Sequence, residues 1–125
     1  MLDRIKNIFI NLVKSQKTLH EFSVGDLCSV RSGKGGFRII KVLVREPGIL
    51  HIRIYKETFA TRPKHIGSKP LSLGTIHDKD GFGIGHIPIS EVEFNTWLPI
   101  LILSESVSEE ELEGYRYWKE SESKG

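Results

Sequence analysis

The sequence predicts an α+β fold: a bent, antiparallel, barrel-like sheet with N-terminal and C-terminal helices and a short helix before the last strand. Three observations predict it. Two β-branched runs, Phe37–Arg45 and Leu50–Tyr55, flank a Glu46-Pro47-Gly48 turn. Two Ser-x-x-Glu signatures open helices late in the chain. Apolar residues at helical spacing mark the amino terminus.

Leu2, Ile5, Ile8, Phe9, Leu12 and Val13 fall on one arc, and Arg4, Asn7, Asn11 and Lys14 on the other, so residues 2–15 are expected to form an amphipathic helix. With its polar linker it makes an amino-terminal segment, 1–21, before a single small α+β domain over 22–125. Packing on that domain is the expected use of the apolar arc, rather than a seat on a membrane surface.

Phe22–Val30 reads as a first strand entered through a Gly-Asp turn, and Ser32–Gly36 as a flexible turn. In the hairpin that follows, pairing Glu46 with Leu50 sorts the side chains by face. Ile40, Val42, Val44, Leu50, Ile52 and Ile54 share one face, and Lys41, Leu43, Arg45, His51, Arg53 and Tyr55 the other. A two-residue turn would set Val44 beside His51 and mix the faces. An odd-length loop with a bulge near Gly48 is therefore expected, with the basic face toward solvent.

Residues 57–80 carry Pro63, Gly67, Pro70 and Gly74 and read as a long surface excursion. Gly81–Ile89 follows as a strand whose alternating glycines allow a neighbouring backbone to approach closely. Ser90 with Glu93, and Ser108 with Glu111, form capping boxes; Ile89 can staple onto Phe94 and Val107 onto Leu112. Pro99 stops the first helix, Ile100–Leu103 makes the last strand, and the second helix runs from Glu109 to about Lys119. Leu112, Tyr115 and Trp118 should face the body.

Charge is divided along the chain. From Arg31 to Lys69 ten lysines and arginines stand against two acids, a surplus of eight; from Pro70 onward four stand against eleven, a deficit of seven. The net charge of +2 conceals this polarity, which points to a charged partner or to self-association through opposite poles. The single cysteine, Cys28, reads as a core thiol of a cytoplasmic protein.

Motifs for chemistry are missing or incomplete. Ser32-Gly-Lys-Gly-Gly36 departs from a phosphate-binding loop, with Cys28 in place of the first glycine and Gly35 in place of the Ser or Thr after the lysine. Gly81-Phe-Gly-Ile-Gly-His86 places a histidine where the dinucleotide fingerprint needs its third glycine. His77, Asp80 and His86, with Asp78 nearby, are candidate metal ligands by type, but an Asp-Gly turn accounts for the acids. No serine or cysteine has an activating neighbourhood, so no enzyme and no cofactor is expected.

What remains is the basic hairpin face: Lys41, Arg45, His51, Arg53 and Tyr55, extended by Arg62 and Lys64. These residues suit an acidic protein surface or, alternatively, nucleic-acid phosphates and bases. They also suit internal neutralisation by the acidic carboxyl-terminal helix. The expected function is a non-enzymatic binding module that contacts a protein partner through this face or through the acidic carboxyl-terminal region.

Val24-Gly-Asp-Leu-Cys28 and Gly36-Phe-Arg-Ile-Ile-Lys-Val42, followed by a hairpin, resemble the opening of Tudor-like and other SH3-like small barrels. The resemblance covers about a quarter of the chain. It implies a small barrel that binds a partner, but the aromatic cage of Tudor domains would have to come from Phe37, Tyr55 and Phe59 alone, so cage function is not carried over. The remainder is similar to small bacterial β-rich proteins, among them immunity proteins, which implies charge-complementary binding.

Overall fold

The computed structural model describes residues 22–67, 71–79 and 81–124. The expected amino-terminal helix lies outside them. Five strands, β1 (Asp26–Arg31), β2 (Phe37–Glu46), β3 (Ile49–Phe59), β4 (Ile84–Ser90) and β5 (Ile100–Ser104), form one antiparallel sheet in the order β4-β3-β2-β1-β5. Helix α1 (Glu91–Thr96) joins β4 to β5, and α2 (Glu113–Lys124) follows. The fold is therefore α+β. Among the described residues β4 and β5 are edge strands, so the sheet is open and the expected barrel closure is not seen.

The hairpin register corrects the sequence expectation. Glu46 pairs with Ile49 across a two-residue Pro47-Gly48 turn, and Val44 stands beside His51. Proline fixes its own φ and Gly48 takes φ +74°, a combination that suits a type II turn. Such turns twist against the sheet, and the mismatch is relieved one step inside the strands rather than at Gly48. The register slips between Val42 and Val44, after which Val42 pairs with Ile52 and Ile40 with Ile54. Leu43 is the extra residue.

Beyond that bulge the apolar side chains return to one face. Ile40, Val42, Leu50, Ile52 and Ile54 pack with Cys28 and Val30 under Phe22 and Phe94, closed by Ile87, Ile89 and Trp97. Phe22 and Phe94 meet edge to face with centroids 5.6 Å apart. The opposite face is also covered: Leu27, Ile39 and Tyr55 pack with Ile66, Leu71, Leu73, Ile102 and Leu103. A sheet apolar on both faces needs two covers, which the connections supply.

Local chemistry explains the element ends. Ser90 Oγ accepts from the Glu93 amide at 3.1 Å, α1 ends at Trp97, and Leu98 takes φ +53° before Pro99. The second capping box forms reciprocally: the Ser108 amide donates to Glu111 Oε1 at 2.9 Å and the Glu111 amide to Ser108 Oγ at 3.2 Å. Regular α-helix nevertheless starts at Glu113 rather than Glu109 and runs to Lys124, because residues 109–112 are a series of turns. Strand β3 extends to Phe59, into the stretch read as a surface excursion.

The glycine-rich approach before β4 holds. A Cβ on Gly83 would come within 2.3 Å of the Ile54 carbonyl oxygen, so this backbone can lie against β3 only as glycine. Gly25, with φ +94°, similarly lets β1 meet Glu105, whose amide donates to the Gly25 carbonyl at 2.9 Å.

Candidate functional site: a masked basic face and an open basic end

The expected solvent-facing basic surface is instead covered by the chain's own acidic carboxyl-terminal segment. Lys41 is only 3% exposed. Its Nζ donates to the Ser106 carbonyl at 2.8 Å and to Glu111 Oε1 at 3.1 Å, with Glu105 at 3.9 Å. A buried ammonium needs such partners, and residues 105–111 provide them. They also hold the Glu111 carboxyl below its ordinary range through bonds from Ser108 and Lys41, against the burial that raises it.

Tyr55, likewise buried, has its phenol pushed up to about 12 by burial first and then by Glu111. Arg53 Nε donates to the Gly85 carbonyl at 3.2 Å. Arg45 Nη1 donates to the Phe22 carbonyl at 2.7 Å, and its other amino group pairs with Glu91. Each of these four hairpin residues thus has work inside the fold.

His51 is fully buried. Its Nε2 lies 2.5 Å from Glu46 Oε1, and its Nδ1 lies 2.9 Å from His86 Nε2. Glu46 also accepts from Lys119 Nζ at 2.8 Å, and the bonds from Lys119 and His51 hold its carboxyl below the usual range. The ionised carboxylate accepts only, so His51 carries its proton on Nε2 and accepts from His86 through Nδ1. Tyr115 and Trp118 of α2 set their ring edges on His51 with centroids 4.7 Å away in both cases. This cluster was not legible in advance; its six members come from four separate elements.

His86 also lines an open cavity of about 350 Å³ with Arg53, Gly85, Glu110, Glu113, Gly114 and Tyr117. His77 is exposed in a separate turn, and Asp80 lies outside the described residues. Asp78 is engaged by Lys56 Nζ at 3.0 Å and by the Thr75 amide at 2.9 Å. Among the described residues no group of three His, Cys, Asp or Glu side chains gathers for a metal ion. Cys28 is a buried core residue whose thiol is pushed up by burial.

Four other cations of the basic segment, Arg31, Lys34, Arg62 and Lys64, lie on or close in sequence to the end of the sheet that holds the β1–β2 turn. Arg31 closes β1 opposite Phe37, and the Arg62 guanidinium lies 4.7 Å above the Phe37 ring centroid. Arg62 Nη1 also donates to the Ser29 carbonyl at 3.0 Å and to Ser29 Oγ at 2.8 Å. Lys34 is exposed in the β1–β2 turn, and Lys64 is exposed two residues past Arg62. Among the described residues none of Arg31, Lys34, Arg62 and Lys64 enters an ion pair. Arg62 is pulled below its ordinary pKa by burial and then by Arg31. Of these four, the sequence reading had included Arg62 and Lys64 and missed Arg31 and Lys34.

No helix among the described residues is long and apolar enough to cross a membrane. Comparison with models of known families, with curated proteins and with solved structures finds no match.

Proposed function

We propose that this chain is a non-enzymatic binding module that contacts an acidic protein partner through the basic end of its sheet. One observation carries the reading: Arg31 and Arg62 stand together without an acid. Like charges left unneutralised at a surface cost free energy that an anionic partner returns, and they steer that partner's approach. Lys34 and Lys64 extend the same field.

An acidic protein is favoured over nucleic acid by the state of Phe37. Single strands stack bases on open aromatic faces, whereas one face of this ring is capped by Arg62. An immunity-type role, in which a toxin is neutralised by charge complementarity, is one form such binding takes. A barrel-like, SH3-like curvature is supported by the register irregularities in three of the four ladders, which bend strands. A cytoplasmic setting suits the lone buried thiol.

Titration with fluorescent polyglutamate and with single- and double-stranded oligonucleotides across a salt series tests the reading. Polyglutamate should bind, and Arg31→Glu with Lys34→Glu should weaken it at least tenfold. Tighter binding of an oligonucleotide, with a steep loss of affinity on adding salt, would instead establish the nucleic-acid alternative. Sedimentation at two salt concentrations separates either from self-association.

A further inference from the structure

The hairpin face is distinct from the basic end and carries an inference of its own. We propose that the β2–β3 face bearing Lys41, His51 and Arg53 is a docking surface for an acidic peptide segment containing aromatic residues, and that residues 105–119 occupy it as an intramolecular ligand.

The charge match is local as well as global. Lys41 meets Ser106, Glu111 and Glu105; Tyr115 and Trp118 seat on the His51 ring; Lys119 reaches back to Glu46 at 2.8 Å. The cover that a sheet needs for stability alone is apolar, since replacing buried ion pairs by packed hydrophobic groups is neutral or stabilising. Around Lys41 and Arg53 this face is polar and meets charged or carbonyl partners, beside the apolar packing of Leu27, Ile39 and Tyr55, and polar contacts of that kind tolerate water when they part.

The hold is also narrow and incomplete. Tyr117 is 66% exposed, and Glu113, Arg116, Lys119 and Glu120 of α2 lie exposed, leaving Tyr115 and Trp118 as the aromatic anchors. The 350 Å³ cavity separates Arg53 from Glu110 and Glu113, and among the described residues Arg53 forms no ion pair. An element held by few apolar contacts opens independently of the body. A tethered ligand acts at an effective concentration of about millimolar, so a free segment competes only when the tethered one is weakened.

The test uses the full chain, its Trp118→Ala variant, and a labelled synthetic peptide with the sequence of residues 104–120. The variant should bind the peptide at least tenfold more tightly than the unaltered chain, and adding Arg53→Gln should weaken that binding. A concentration-dependent dimer of the variant with exchanged carboxyl-terminal segments also supports docking. A folded variant that binds the peptide no better than the unaltered chain overturns the proposal, as does a variant that takes an oligonucleotide but not the peptide. Hydrogen exchange on the unaltered chain decides the matter if Trp118→Ala does not fold. Amides of residues 117–124 should be at least tenfold less protected than those of β2 and β3; equal protection overturns it.

Discussion

His51 and His86 share one proton between facing ring nitrogens 2.9 Å apart, with their planes only 11° from parallel. With His51 accepting through Nδ1, that hydrogen sits on His86 Nε2, and the burial of His86 beside His51 opposes a positive charge there.

Acid should therefore weaken the fold in two steps. The His86 imidazole is held below its ordinary pKa of about 6.5 by burial and then by His51. The unfolded chain binds that proton first, so the contribution is complete above about pH 6.5 and is lost as pH falls through the folded value. The slope cannot exceed about 1.4 kcal/mol per pH unit for one proton. Glu46, held low by Lys119 and His51, adds a second loss below its own unfolded range near 4.5. The surrounding Arg53, Glu110, Glu113 and Tyr115 alter the midpoint but not the sign. Urea unfolding at pH 7.5, 5.5 and 4 should show falling stability, and an NMR titration placing His86 at or above 6.5 would refute the assignment.

Lys41→Met should cost about 3 kcal/mol in chemical denaturation. It removes the cation of a largely buried pair and leaves Glu111, with its side chain 16% exposed, facing the gap. Adding Glu111→Gln should recover a large part of the loss. If the double variant is less stable than Lys41→Met, Lys41 and Glu111 do not act as a pair.

Gly114→Ala tests the seat of α2. In an open helix this change stabilises by about 1 kcal/mol. Here the new Cβ would lie 2.8 Å from the His86 Cβ, so the helix must shift away. The expected result is lower thermal stability and a Trp118 emission moved to the red. A gain in melting temperature with unchanged emission would show that the contact yields without cost.

Phe94→Ala should be among the most damaging single changes. Phe94 is fully buried, and its ring meets both Phe22 and Trp97. A cost of about 3–5 kcal/mol is expected from the cavity and the lost contacts. A loss below about 1 kcal/mol would mean that α1 does not close this core.

The sequence carried the elements well where a side chain speaks to its own neighbours. Ser90 and Ser108 announced their caps, and Pro99 announced the end of α1, because capping is settled within four residues. The hairpin faces were also legible, since Ile40, Val42, Leu50, Ile52 and Ile54 do share a core. The position of the bulge was not, because twist at Pro47-Gly48 and pairing six residues away are solved together. The basic face misled for a related reason. Lys41 and Arg53 are polar in a strand, which normally means solvent, yet their partners lie in residues 85 and 105–111, and nothing in local spacing shows that return. Lys34 was read as part of a turn, and Arg31 was left out of the basic face, although both lie exposed.

The placement of β5 beside β1 also bears on how the chain is made. Synthesis runs from the amino end, so strands β1 to β4 exist as a complete meander before residues 100–104 leave the ribosome. During that interval β1 offers an unpaired edge, and Lys41 and His51 lack the cover that residues 105–118 later bring. At about 5–20 residues per second the wait lasts a few seconds, long compared with hairpin formation. The nascent meander is thus the stage at which a chaperone or a stray strand has access to this protein, and the arrival of residues 100–118 ends that exposure.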